Sequence, residues 1–287
     1  MTSLAAPASG GGISVDKRPV VLCLAGIDPS AGAGLARDIM VVHALGGHPL
    51  PVPSALTVQN TRAVEDVVPL PADMVQRMAE AVLNDFGVAA AKVGALADAE
   101  VVAAVARILV KRSWLPVVLD PVLRSGSGHR LLSDRGMATL VRELLPLATV
   151  VTPNLREAET LTGISVGGAA DLEDAAAAIC AMGPRWTLVK APHLPEGPQD
   201  VLHDGSRSWV LRGERLDSDS VHGTGCTLSS AMAYFLASGL AVPDAAVRAK
   251  HFAEAAIRSA EKLGGGMKIP GVHRGNGAGT DTTGTHA

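Results

Sequence analysis

Aromatic side chains are nearly missing from this chain: three tryptophans, three phenylalanines and one tyrosine make up 2% of its 287 residues. A hydrophobic fraction of 47% must therefore be carried by alanine, valine and leucine, a supply that suits strands buried on both faces by helices. Cysteine is scarce as well. Cys23, Cys180 and Cys226 are odd in number and share no CxxC spacing, which argues against disulfides and a zinc site and makes the cytoplasm the expected compartment. The nine histidines never pair as HxH or HExxH, so no transition-metal site is visible. Neither sign of charge dominates: a net charge of −3 offers no general attraction to nucleic acid or an anionic membrane. No apolar run approaches the roughly 18 residues that a membrane span needs. The opening MTSLAAPASGGGISVDK has neither the charged nor the apolar region of a secretory signal. Residues 1–18 read as a flexible leader and 264–287, GGGMKIPGVHRGNGAGTDTTGTHA, as a flexible tail, leaving 19–263 as one domain.

What is there is alternation. Strand-like apolar runs at 19–26, 50–58, 89–96, 116–122, 148–154 and 187–192 alternate with helical patterns at 34–45, 72–85, 98–112, 134–145, 155–162 and 171–182. A hairpin over 201–213 turns at Asp204 and Gly205, and helices over 224–238 and 243–263 close the domain. The pattern predicts right-handed βαβ units and an α/β fold with a mostly parallel sheet covered on both faces. Ligands of such sheets sit beyond the carboxyl ends of the strands. Glycines and polar residues collect at those positions.

AGIDPSAGAG, residues 25–34, is not a dinucleotide fingerprint, because the third glycine position is Arg37 and no acid ends the second strand. Its glycines suit a backbone closing over a flat ligand, with Asp38 beyond; a Gly-rich turn and a solvated acid explain them equally well. Gln59 ends the second strand with a donor and an acceptor, as reading the edge of a heteroaromatic ring requires. In TPNLREAE, Asn154 and Glu157 fit a helix cap, or a phosphate–Mg²⁺ site to which Asp120 adds a second carboxylate. Lys190 ends a buried strand and needs an anionic partner, such as a nucleotide phosphate. In HGTGCTLS, Gly223, Thr224 and Gly225 precede a helix and expose consecutive N–H groups, an anion site that can stabilise a transferring phosphoryl group. The same field is expected to favour thiolate at Cys226. Packing, a nucleophile served by His222, and a proton acceptor all remain open for that cysteine.

AGIDPSAGAGLARD, VQNTR, KVGAL, VVLDPV, TPNLREAE and HGTGCTLSSAMA occur in this order over residues 19–262. In them the chain resembles the hydroxymethylpyrimidine/phosphomethylpyrimidine kinases of thiamine synthesis, in the ribokinase-like superfamily. The resemblance implies a three-layer sandwich and an ATP- and Mg²⁺-dependent kinase. Such an enzyme phosphorylates a CH₂OH on a pyrimidine and then the resulting monophosphate, usually as a homodimer. It implies a pyrimidine pocket of Gly26, Asp38, Gln59 and Val122, and Cys226 as base where most of the superfamily has aspartate. Gly223 to Gly225 then form the anion hole, and Asn154, Glu157 and Lys190 the Mg-ATP side. Three positions depart from the family pattern: Ala95 replaces a methionine, Gly126 a lysine, and Pro192 a glycine. A pyridoxal kinase, which also takes a flat ring bearing CH₂OH, is the rival within the class. A cysteine-nucleophile enzyme and a non-catalytic vitamin sensor are rivals outside it.

Overall fold

The computed structural model describes residues 18–192, 194, 197–216 and 220–272. Nine strands form one sheet in the order β3-β2-β1-β4-β5-β6-β7-β8-β9. They are β1 (Val20–Ile27), β2 (His48–Gln59), β3 (Val64–Pro69), β4 (Ala90–Val93), β5 (Val117–Leu119), β6 (Val150–Val151), β7 (Trp186–Ala191), β8 (Gln199–His203) and β9 (Ser208–Arg212). From β2 to β7 every neighbouring pair is parallel. β3 pairs antiparallel at one edge, and β8 and β9 do so at the other.

Alternation along β1 divides the core. Leu22 and Leu24 face α2 (Ala72–Asp85), α3 (Ala99–Val110), α4 (Asp134–Thr139), α5 (Leu155–Thr162) and α6 (Ala169–Cys180). Val21, Cys23 and Ala25 face α1 (Gly34–Ala44), α7 (Thr224–Ala237) and α8 (Val242–Arg258). Side chains of period two thus feed both outer layers, which is the three-layer sandwich the motifs imply. Cys23 is fully buried core, and burial raises its thiol pKa above the ordinary range.

Two departures from the sequence expectation bear on function. β3, VEDVVP, was not anticipated; it is a mostly exposed, acid-bearing edge strand that lacks the apolar run by which the others were found. It also explains how β2 carries Pro49, Pro51 and Pro53. The His48 N–H donates towards β1, the prolines fall at alternate positions, and β3 begins to pair only at Ala55. The second departure is the expected tail. α8 ends at Arg258, and residues 264–272 are packed rather than loose: Ile269 is buried and pairs with Glu261, and Lys268 pairs with Val221. Residues 1–17 and 273–287 lie outside the described residues. Among the described residues no helix is long and apolar enough to cross a membrane.

Candidate active site

Helix α7 begins at Thr224, with Gly223 as its N-cap at φ +75° and no side-chain cap. A Cβ on Gly223 would stand 1.9 Å from the Gly32 carbonyl oxygen, so only glycine lets the loops before α1 and α7 touch. The first N–H groups of α7, at Thr224, Gly225 and Cys226, have no intrahelical partner, and the positive end of the helix dipole adds to them. α1 starts against the same point, also without a side-chain cap, and its Gly34 N–H faces the Cys226 sulfur.

Cys226 departs from the expected thiolate. Burial pushes its thiol up to about 11; Lys92 and the Gly34 N–H oppose the rise, and Asp120 and Asp38 add to it. The sulfur therefore rests protonated at neutral pH. His222 does not serve it: among the described residues no hydrogen bond joins the two. Instead His222 Nε2 donates to Asp28 Oδ2 at 2.8 Å, and the Gln59 amide lies 2.8 Å from the same nitrogen. Asp28 also accepts from Ser30 N–H and Oγ–H, both at 2.8 Å, and from Ala33 N–H at 2.9 Å. Burial alone would raise its pKa, but the bonds from His222 and Ser30 hold it below the usual carboxylate range. Asp28 therefore locks the glycine-rich loop onto His222.

Beneath the sulfur lies a buried ion pair. Lys92 Nζ donates to Asp38 Oδ2 at 2.8 Å with both side chains fully enclosed, and Ser230 Oγ donates to Asp38 Oδ1 at 2.7 Å. This corrects the expected role of Asp38: both its oxygens are taken and it is 0% exposed, so it supports the pocket floor from below. Burial raises its pKa against Lys92 and Ser230. For Lys92, burial works downward, but the charges of Asp38 and Asp120, and of Cys226 once it ionises, outweigh it and hold the ammonium above its usual range.

On the other side of Gly225, Lys190 Nζ donates to Asp120 Oδ1 at 3.1 Å, and Thr152 Oγ1 donates to the same oxygen at 3.2 Å. A Cβ on Gly225 would stand 3.1 Å from Lys190 Nζ and 3.6 Å from Asp120 Oδ2, so this pair borders the anion hole. Asn154 and Glu157 do form a capping box: each accepts the other's backbone N–H at 2.9 Å. The cap aims a buried Glu157 carboxyl at the strand ends. Burial, with Asp120 adding, pushes it up to about 7 against the pull of Lys190. Two carboxylates, Asp120 and Glu157, at one edge of the sheet fit the oxygen donor set of a Mg²⁺ that keeps its waters. Among the described residues no cluster of three acidic, histidine or cysteine side chains exists.

Gly26 donates its N–H to the Ala95 carbonyl at 3.1 Å, and a Cβ there would lie 3.7 Å from Ala55 Cβ and 4.0 Å from Ala95 Cβ. Gly26, Ala55 and Ala95 therefore pave one wall with small residues. Val122 is partly buried just beyond Asp120, and its N–H donates to the Asp120 carbonyl at 2.8 Å. Near Gly126, one of the departures, the exposed Arg124 donates to the Gly128 carbonyl at 3.1 Å.

Sequence reasoning gave no role to Asp28, Arg37 or Lys92. A signal existed for Lys92, the one charge in the run AAAKVGAL. A separate cleft of about 410 Å³ between α2, α3 and α4 contains none of the motif residues.

A family model described as phosphomethylpyrimidine kinase matches residues 28–271. A hydroxymethylpyrimidine/phosphomethylpyrimidine kinase of Streptomyces coelicolor is 45% identical over 249 residues, 87% of this chain and 92% of that protein. A phosphomethylpyrimidine kinase structure from Clostridium difficile superposes with a TM-score of 0.73 at 32% identity, covering 83% of this chain and 99% of that one. A Staphylococcus aureus pyridoxal kinase in complex with AMP-PCP and pyridoxal gives 0.81 at 28% identity, covering 91% and 96%. By the extent of the family match and the identity to its relatives, this chain belongs to the phosphomethylpyrimidine kinase family.

Proposed function

We infer that the protein is an ATP-dependent kinase that phosphorylates a hydroxymethylpyrimidine and then its monophosphate, as the relatives' names describe. The observation that carries the reading is the uncapped start of α7, with Cys226 on one side and the Asp120–Lys190 pair with Glu157 on the other. The N–H groups of Thr224, Gly225 and Cys226 receive the transferring phosphoryl oxygens and stabilise their charge in place. Cys226 takes the proton of the attacking hydroxyl. Lys190 and the residues at the Asn154 cap serve the nucleotide phosphates, and Asp120 and Glu157 would hold Mg²⁺, which when bound neutralises phosphate charge. AMP-PCP in the Staphylococcus aureus relative supports ATP as donor. Residues 19–263, extended by the packed segment to 272, act as one catalytic unit; the single sheet supports this. We further propose a cytoplasmic homodimer, on the family resemblance. Pyridoxal kinases are more distant in sequence, at 28% identity against 45% for the pyrimidine kinase, which favours the pyrimidine. The test is a coupled assay with hydroxymethylpyrimidine, its monophosphate and pyridoxal. A higher kcat/KM for pyridoxal rejects the reading.

Gln59→Leu raises KM for the pyrimidine about tenfold, because a buried ring edge then loses its polar partner, while KM for ATP stays put. Movement of KM for ATP instead would displace Gln59 from the ring pocket.

Glu157→Gln separates stability from activity. The folded pKa of about 7 lies above the reference value of 4.5, so the folded state binds the proton more tightly. Its stabilisation is complete below 4.5 and is lost as pH rises through 7. Glutamine keeps the acceptor for the Asn154 N–H and removes the charge. Urea unfolding should therefore show the variant more stable than wild type at pH 8 by up to about 3 kcal/mol, and level with it at pH 4. Turnover falls at the same time. An equal stability gap at both pH values would show that burial of the carboxylate is not its origin.

A further inference from the structure

Residues 264–271, bent over 264–267 and bridged at Lys268 and Ile269, form a strap across the Gln59 side of the site. The Met267 N–H donates to the Thr61 carbonyl at 2.8 Å and the Gly266 N–H to Thr61 Oγ1 at 3.1 Å. Lys268 accepts from the His222 N–H at 2.9 Å, and the Gly271 N–H donates to the Ala256 carbonyl at 3.0 Å. The strap thus ties the β2–β3 turn, the loop before α7 and the end of α8 together. Gly264 to Gly266 run close along the β2–β3 turn: a Cβ on them would meet Thr61 Oγ1, Arg62 Nη2 and the Thr61 carbonyl oxygen in turn, and the last, a backbone contact, requires glycine.

Met267 is the first residue after this run to carry a side chain. Its Sδ and Cε lie 3.6 and 3.7 Å from the position a Cβ would take on Gly126. With Gln59, Gly126 and His222 it lines a cavity of about 10 Å³, room for about one water and far less than a ring needs. Met267 thus shares this cavity with Gln59 and His222, on the side of the Gln59 amide away from the Gly26 wall.

Arg37 fixes the far end of the strap. It is 0% exposed, its Nη2 donates to the Pro270 carbonyl, and its Nε and Nη1 have no partner among the described residues. Burying a guanidinium for one hydrogen bond is costly, and an apolar residue of similar size would be cheaper.

We propose that residues 264–271 are the closing wall of the ring pocket, that Met267 is a specificity-determining contact on the substrate ring, and that Arg37 is the positioning residue that sets where Met267 lies. A flexible thioether at a ring suits the purpose, because it adapts to the ring and attracts it through sulfur. The proposal rests on the kinase reading above. Steady-state kinetics on the full chain test it, with hydroxymethylpyrimidine, pyridoxal and ATP as varied substrates. Met267→Ala raises KM for the ring substrate about tenfold, leaves KM for ATP unchanged, and Met267→Leu restores most of the loss. Arg37→Met raises KM for the ring substrate more than it lowers kcat, and speeds amide hydrogen exchange across 264–271. The Met267 variants decide the matter alone if Arg37→Met does not fold. A wild-type ring KM in Met267→Ala overturns the proposal, and so does an equal rise in both KM values. If the wild type turns over pyridoxal and not the pyrimidine, the functional reading fails, while the ring contact is still tested through the KM for pyridoxal.

Discussion

Replacing Cys226 with alanine lowers kcat by on the order of 10²–10⁴, the range of a lost general base, and leaves substrate binding largely intact. The sulfur sits between the α1 and α7 starts, with the Gly34 N–H on it and Lys92 lowering its pKa. Even so, burial holds the thiol up to about 11, so only a small thiolate fraction exists at neutral pH. That fixes the sign of the pH dependence. A base with a pKa above the working range gains its active form about tenfold per pH unit, so wild-type kcat climbs from pH 8 towards 10. The alanine variant lacks that limb. Cys226→Asp supplies a base ionised at neutral pH, and its rate shows no such climb. Glu157, pushed up to about 7 by burial, adds a second feature that persists in all three proteins. A wild-type kcat in Cys226→Ala would remove the thiol from proton transfer and return it to packing.

The cysteine also shows where sequence reading reaches its limit. Alternating apolar runs placed β1, β2 and β4 to β7 and all eight helices, because burial on two faces writes itself into composition. β3 escaped because an exposed edge strand needs no apolar face. The helix-start chemistry of Cys226 was legible in GTGC, yet the direction of its pKa was not. It depends on the burial of the sulfur and on Lys92, Asp120 and Asp38, all far away in sequence. Asp38 was misplaced for the same reason. An acid one turn into a helix reads as ligand or solvent until its partner, Lys92 on β4, is known. The Gly264–Gly266 run has the composition of a disordered tail, and only its hydrogen bonds to Thr61, with no room for a Cβ, reveal a packed strap.

Lys92→Met destabilises the fold by about 3–5 kcal/mol, the cost of leaving a buried carboxylate without its counter-ion. Against a total of roughly 5–15 kcal/mol this is a large share, and a urea midpoint reads it directly. Asp38 then holds its proton to higher pH than before, so the loss grows as pH rises through neutrality and shrinks in acid. A second substitution separates the two jobs of the pair. In Lys92→Met with Asp38→Leu neither charge of the pair remains, and apolar packing of similar volume recovers most of the stability; the Ser230 hydroxyl turns back onto its own helix. Turnover does not recover with it. The Lys92 charge does most to draw the Cys226 pKa down, and without it the thiolate that accepts the substrate proton becomes rarer still. Recovery of kcat in the double variant would make the pair a packing device alone. Recovery of stability without kcat identifies it as the buried charge that lets a thiol act as a base at this helix start.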